Sequence, residues 1–558
     1  MKGLKYVTIF LLFINSVAFC MSTKSINYME LEVTRSGKII PNGKISSADI
    51  LIYVPQNCYD INSNVNWSLT KDRYGNNMVH LHWNNLNSES SYYVTARVKN
   101  IANYIQTPEK FVKGNYIETP LLKSNSNMMK FAYGRNSIDG VVKLFKFVSS
   151  FKYDKSLSDV QMPADWTFEN KRGTCDELSN CLISLFLISG IKSRAVVGYA
   201  YRSPKDKTLG NHAWVQILTD KGWMNADPTW NELGYLDASH VVLAYLPDTN
   251  MTESLQYLGT GSIKWIKNDD KFNIINYTYS EPIKISSSYE GGNEGYIKAN
   301  LIGPCFMADL NILSCVDANK PVLNIRDKRR SVWFCGNKSV YWAYDSKNFN
   351  GICPTKIYDQ SGVTNTVNIR SGKTTGNVII TSPDTVNVGD EFSLEVFTNK
   401  NFVLFSPNIS LPSAKKLKIR LWDPGIYKFY AFDGRLYEKD VNIVKKKIFN
   451  IHIISLDKVK GNFNVSVIVN SLDGKKNATL EIIYGSQNYK SSFEVDKQKI
   501  ITVKFKPEID KEIIKAIVSS NSDVEIATKH ITVEKTLIQK ILDIINNIFD
   551  KFSNWLSI

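Results

Sequence analysis

A cysteine stands at the first position of a strongly signalled helix, and that one placement constrains the chain more than any other feature. Thr174 followed three residues later by Glu177 is a capping box. Beyond it, Leu178, Leu182, Leu185, Phe186 and Ser189 form an inward stripe at helical spacing, and Gly190 stops the helix. Cys175 therefore falls where backbone amides lack intrahelical partners and the helix dipole is positive, a setting that stabilises a thiolate. A thiolate is the nucleophile that acyl transfer requires. A helix N-terminal amide, such as that of Cys175 itself, can donate to an oxyanion. Gly173 allows close backbone approach just before it. Taken alone, Cys175 reads equally as a buried structural thiol or a disulfide partner.

The base for such a nucleophile is normally histidine, and the chain has 6. Residues 211–218 alternate, with His212, Trp214 and Gln216 on one face. A turn at 219–222 leads to a second strand over 223–227. Centring the turn on Asp220 and Lys221 sets His212 opposite position 229, with Asp227 as its diagonal neighbour on the same face. Diagonal Cα atoms lie about 7–8 Å apart, within reach of a His–Asp hydrogen bond. Asp227 then fixes the imidazole, and His212 pairs with Cys175. His240 is a rival base, outside the order of cysteine, strand and strand. Cys181 lies about 240° around the helix from Cys175 and reads as core. Alanine at 175, 212 or 227 is expected to leave the fold intact.

The segments Arg172-Gly173-Thr174-Cys175, Gly190–Arg194 with Val197-Gly198-Tyr199, Asn211–Val215, and Gly222-Trp223 with Asp227-Pro228-Thr229 resemble the transglutaminase-like superfamily, in order and spacing. Tyr235–His240 also resembles a segment found after the Asp motif in some prokaryotic members. The resemblance spans about 120 residues, 130–250, a minority of the chain. It implies a papain-like fold, a helix on an antiparallel sheet, and acyl transfer at amide or ester carbonyls through a Cys thioester. Some members cross-link, many hydrolyse and some have lost activity. On this reading Cys175, His212 and Asp227 are the catalytic residues. Trp166 and Trp214 are candidate oxyanion or substrate residues, with plain packing as the alternative for Trp166. The chemistry needs no cofactor and no metal. His80 and His82 share one strand face, but with no third ligand nearby in sequence they read as an ordinary exposed face.

The expected fold class is α+β: a papain-like transglutaminase core flanked by an N-terminal β domain and C-terminal immunoglobulin-like β-sandwiches, ending in an amphipathic helix. The divisions read from composition and periodicity are a signal peptide at 1–20, an N-terminal β domain at 26–120, the catalytic domain at 128–250, and a cysteine-bearing β domain at 260–370. Sandwiches follow at 374–445 and 447–534, then a helix at 535–558. The tail alternates an apolar stripe (Leu537, Ile541, Ile545, Phe549, Phe552) with Lys540, Asp543 and Lys551. Those charges exclude a transmembrane span and leave an amphipathic helix that lies on a membrane, self-associates or packs on its own protein.

Lys2 and Lys5 before the apolar run 6–19, with Ala18 and Cys20 at small-residue positions, form a secretory signal pattern. Bulky Phe19 argues against lipidation at Cys20. In an oxidising compartment Cys305, Cys315, Cys335 and Cys353 are expected to form two disulfides, whose pairing the sequence leaves open. Their spacing holds no CxxC pair of the kind zinc sites use. Seven N-x-S/T sites, from Asn66 to Asn477, permit glycosylation without arguing for it. The net charge of +15 is scattered as single lysines, which argues against nucleic acid as a partner. The expected protein is thus secreted and cell-surface associated. It would be a thiol acyl-transfer enzyme on peptide or isopeptide amides, with hydrolysis favoured over cross-linking. The alternative is a non-catalytic surface adhesion or scaffold protein.

Overall fold

The computed structural model describes residues 26–533 apart from 159, 204–207, 316–322, 347–348, 408, 445–447, 473, 509–512 and 521–523. The signal pattern, Cys20 and the amphipathic tail lie outside the described residues. No helix among the described residues is long and apolar enough to cross a membrane.

Alternating apolar residues build the N-terminal domain as two facing sheets. One runs Ser262–Lys267, Ile26–Asn42, Ser90–Ile101, Cys58–Ser63, with Lys271–Tyr279 also on Ile26–Asn42. The other runs Ser254–Gly259, Ile45–Tyr53, Asn77–Leu86, Asn66–Lys71. Ile39, Ile50, Ile52, Val79, Leu81 and Val94 fill the layer between them. This moves the division expected at 260. Residues 254–279 complete the first sandwich, because the 17-residue strand Ile26–Asn42 needs a partner on its second edge. The region expected to be catalytic is therefore inserted between strands of one sandwich, a long-range pairing that local periodicity does not show.

In the inserted region, an antiparallel sheet runs Glu232–Leu233, Gly222–Asp227, Thr208–Thr219, Ser193–Ser203, Val241–Leu246. The Cys175–Ile188 helix lies on it, with Leu178, Leu182, Leu185 and Phe186 buried. Helices Ser126–Ala132, Ile138–Ser149 and Ala164–Asn170 share its core. Ser137 caps the second of these by accepting from the Gly140 amide at 3.2 Å.

The cysteine-bearing domain is one sheet around the 21-residue strand Glu294–Ser314. Cys305 pairs with Cys335 and Cys315 with Cys353. Two sandwiches follow, over strands 379–444 and 449–533. In each, a short early strand pairs parallel with the last: Thr385–Asn387 with Asn442–Val444, and Lys458–Val459 with Thr532–Val533. Both sandwiches touch the helices behind the catalytic helix. Arg135 and Lys143 bind Asp423, Lys130 binds Glu525 at 2.6 Å, and Met129 packs beside Ile517 and Ile526.

Candidate active site

The capping box forms as the sequence implies. The Thr174 amide and hydroxyl both donate to the Glu177 carboxylate, at 2.8 and 2.6 Å. Two contacts hold the approach to the helix. Residues Lys152–Tyr153 run parallel to Arg172–Gly173, and Arg172 binds Asp154 at 3.0 Å. Gly173 is required by space, since a Cβ there would meet the Glu177 Cβ at 2.5 Å. Cys175 is left half-buried at the first helical position, a free thiol.

His212 and Asp227 come from adjacent strands in the register the turn implies: Gln216 pairs with Asn225 and Thr219 with Gly222. The sum of strand pairing and pleat brings His212 Nε2 to 2.6 Å from Asp227 Oδ2. Asp227 is fully buried, and its other oxygen accepts from the Thr229 amide at 2.8 Å and the Trp230 amide at 3.3 Å. Nε2 donates to the carboxylate, so Nδ1 is left for the Cys175 thiol, to which His212 also hydrogen-bonds. Burial pulls the His212 pKa down. The Asp227 charge and hydrogen bond, with the Cys175 contact, more than offset this and hold it at about 9. Asp227 is correspondingly held far below the usual carboxylate range, against its burial, first by the charge of His212 and then by hydrogen bonds from both histidines.

Residues 130–228 match the model of the transglutaminase-like superfamily, and Cys175, His212 and Asp227 all lie within the matched span. The chain carries a transglutaminase-like domain. No curated protein matches the chain in sequence. Among solved structures, a candidate cysteine protease from Cytophaga hutchinsonii aligns at 15% identity over 46% of this chain and 98% of its own, with a TM-score of 0.33. Red sea bream transglutaminase aligns at 8% identity over 88% and 92%, with a TM-score of 0.19. A titin I-band fragment aligns at 9% over 46% and 100%, with a TM-score of 0.15. Superpositions this loose carry no argument about the site.

The transglutaminase-like domain surrounds its histidine with groups the sequence reading did not single out. Trp230 stacks on the His212 ring, with centroids 4.5 Å apart and planes at 13°. Its position three residues after Asp227 is the signal that could have found it. His240 is no free rival base. It is fully buried, with Nε2 3.3 Å from Asp227 Oδ2 and Nδ1 3.0 Å from Asp237 Oδ1. With a carboxylate at each ring nitrogen, it is held protonated. Burial opposes this, but Asp227, Asp237 and Glu232 raise its pKa to about 10. Asp176, beside the thiol, is raised to about 6 by burial and the Glu177 charge, while His212 opposes the shift.

Of the two tryptophans expected at the transglutaminase-like site, Trp214 is buried beneath the histidine and Trp166 stands beside Arg172. Trp214 is only 1% exposed, below the His212 ring, with its N–H on Asn225 at 3.4 Å. That makes it a packing residue rather than a substrate contact. Trp166 lies on the Ala164–Asn170 helix with the Arg172 guanidinium 5.4 Å from its ring. Tyr153 is 45% exposed and pairs with Gly173, two residues before the thiol, where no motif marks a phenol. Cys181 is fully buried, and burial raises its thiol pKa strongly, as expected of a core cysteine.

Proposed function

We propose that this chain is an exported thiol acyl-transfer enzyme that acts on peptide or isopeptide amides, with Cys175, His212 and Asp227 as its catalytic residues. The observation that carries the reading is the convergence of a half-buried thiol at a helix N-terminus with an imidazole held by a buried carboxylate at 2.6 Å. The Cys175 sulfur attacks the carbonyl carbon, and the first-turn amides receive the oxyanion. His212, protonated at neutral pH, gives its proton to the leaving amine as the C–N bond breaks. The thioester is released when His212 takes a proton from an incoming water whose oxygen attacks the carbonyl carbon; the C–S bond breaks, the acid forms, and the thiolate and protonated His212 are restored. Hydrolysis is favoured over cross-linking because no feature of the sequence specifies an amine-acceptor site, while water can reach a thioester at the half-buried Cys175. Export is supported by the N-terminal signal pattern and by the two disulfides.

The test is to incubate purified protein with surface material of its own cell, with and without an added primary amine, and to read the products by mass spectrometry. Cleaved amide bonds that vanish with Cys175→Ala support the reading. Amine-linked products show cross-linking instead. Identical products from wild type and Cys175→Ala overturn it in favour of a surface scaffold.

A further inference from the structure

The histidine pair on the N-terminal domain acquires a third partner that the sequence hides. His80 and His82 lie on the strand Asn77–Leu86, and Asp49 comes from the neighbouring strand Ile45–Tyr53, directly across from His82. Asp49 Oδ1 is 2.6 Å from His80 Nε2 and 2.7 Å from His82 Nδ1. One oxygen and two imidazole nitrogens thus converge within 4.8 Å of one another. This cluster belongs to a different domain from the Cys175 site. All three side chains are about one-third exposed.

The second ring nitrogen of His82 decides what the cluster is suited to hold. His82 Nε2 lies 3.0 Å from Asn84 Oδ1, an acceptor, so the ring proton sits there. In the neutral ring Nδ1 then presents a lone pair to a carboxylate oxygen 2.7 Å away. Two lone pairs at that distance repel unless a cation lies between them, either a proton on Nδ1 or a metal ion in its place. A metal-bound histidine characteristically has its outer N–H held by an acceptor in this way.

We propose that Asp49, His80 and His82 bind a divalent transition metal of the zinc type, as a two-histidine, one-carboxylate site with an open fourth position. Imidazole and carboxylate together suit borderline ions of this class. Metal–ligand bonds of about 2.0–2.2 Å need ligand atoms about 3.3 Å apart. The present separations of 2.6 and 2.7 Å open to that by a turn of the exposed Asp49 carboxylate. The fourth position faces solvent, beside a groove of about 720 Å³ that Asp49 and His80 help to line. On the same face, Gln256 lies level with Asp49, and Asn66 with His82.

Calorimetric titration of the full metal-stripped protein with Zn²⁺ tests this, together with the visible spectrum of the Co²⁺ form. The expected result is one tight equivalent, with a tetrahedral-type Co²⁺ spectrum. Asp49→Asn and the double change His80→Ala/His82→Ala should each weaken it by more than tenfold. Asn84→Ala, an exposed change that leaves the fold alone, should weaken it by about tenfold. The proposal is overturned if wild type binds no Zn²⁺. It is equally overturned if His80→Ala/His82→Ala binds as tightly as wild type, which would place the ion elsewhere, for example at His212, Asp227 and His240.

Discussion

Replacing Asp227 is the sharpest test of the site, because the structure reverses the expectation that alanine there leaves the fold intact. Four donors converge on this fully buried carboxylate: His212, His240 and the amides of Thr229 and Trp230. Holding an imidazole ordinarily near 6.5 up at about 9 corresponds to about 3 kcal/mol. Removing one member of a buried charged pair costs about 3–5 kcal/mol by mutational experience, so the two routes agree. Asp227→Ala should therefore lower unfolding stability by about 3–5 kcal/mol, a large part of what a domain has. Asp227→Asn should lose less, but one amide cannot accept on both sides, so either the histidines or the turn amides go unmet. The pH dependence gives a separate readout. The His212 pKa is raised on folding, so its contribution is full below about 6.5 and is lost as pH rises through about 9. Urea unfolding at pH 6.5 and 9.5 should show wild type losing stability across that interval and Asp227→Asn losing clearly less. If Asp227→Ala unfolds at the wild-type urea concentration, the buried carboxylate does not anchor this site and the reasoning fails.

Other expectations follow from the same contacts. His240→Ala should destabilise the domain by several kcal/mol, because it leaves Asp227, Asp237 and Glu232 buried without their shared cation; a wild-type melting temperature would contradict the network. Trp230→Ala should remove about 0.5–1.5 kcal/mol of ring stacking from His212 and slow acylation about threefold to tenfold with little change in folding. Single-turnover acylation by an activated ester reads this directly. Non-reducing peptide maps of the protein purified without reductant should return Cys305–Cys335 and Cys315–Cys353, and opening either loop, of 30 or 38 residues, should cost about 3–4 kcal/mol. Alkylatable thiols at these four positions would refute the pairing.

The parts of the site legible in sequence were those set by short-range rules. The capping box, the helix stop at Gly190 and the turn at 220–221 each depend on a few neighbouring residues, and from them Cys175, His212 and Asp227 come into place. The α+β class was legible for the same reason, since strands such as Glu391–Phe397 announce themselves by alternation. What escaped was set by partners far along the chain. Asp49 meets His82 only because Ile45–Tyr53 pairs with Asn77–Leu86. The ring of Trp230 points at His212 only because Asp227 folds the following turn around its own oxygen. His240 reads as a spare base until two further carboxylates are placed around it.

The insertion of one domain inside another has a consequence for synthesis. Ile45–Tyr53 emerges about 200 residues before Ser254–Gly259, its eventual partner, so at about 5–20 residues per second the ribosome leaves it waiting for about 10–40 s. Ile26–Asn42 waits longer still for Ser262–Lys267 and Lys271–Tyr279. Throughout that interval the first sandwich offers raw β edges to every other nascent copy. Glu30, Glu32, Arg35 and Lys38 stud the earliest of these strands, charges of the kind that discourage such pairing. A chain that stops near residue 250 keeps Cys175, His212 and Asp227 yet never closes those edges, which leaves the prematurely terminated product open to edge-to-edge pairing.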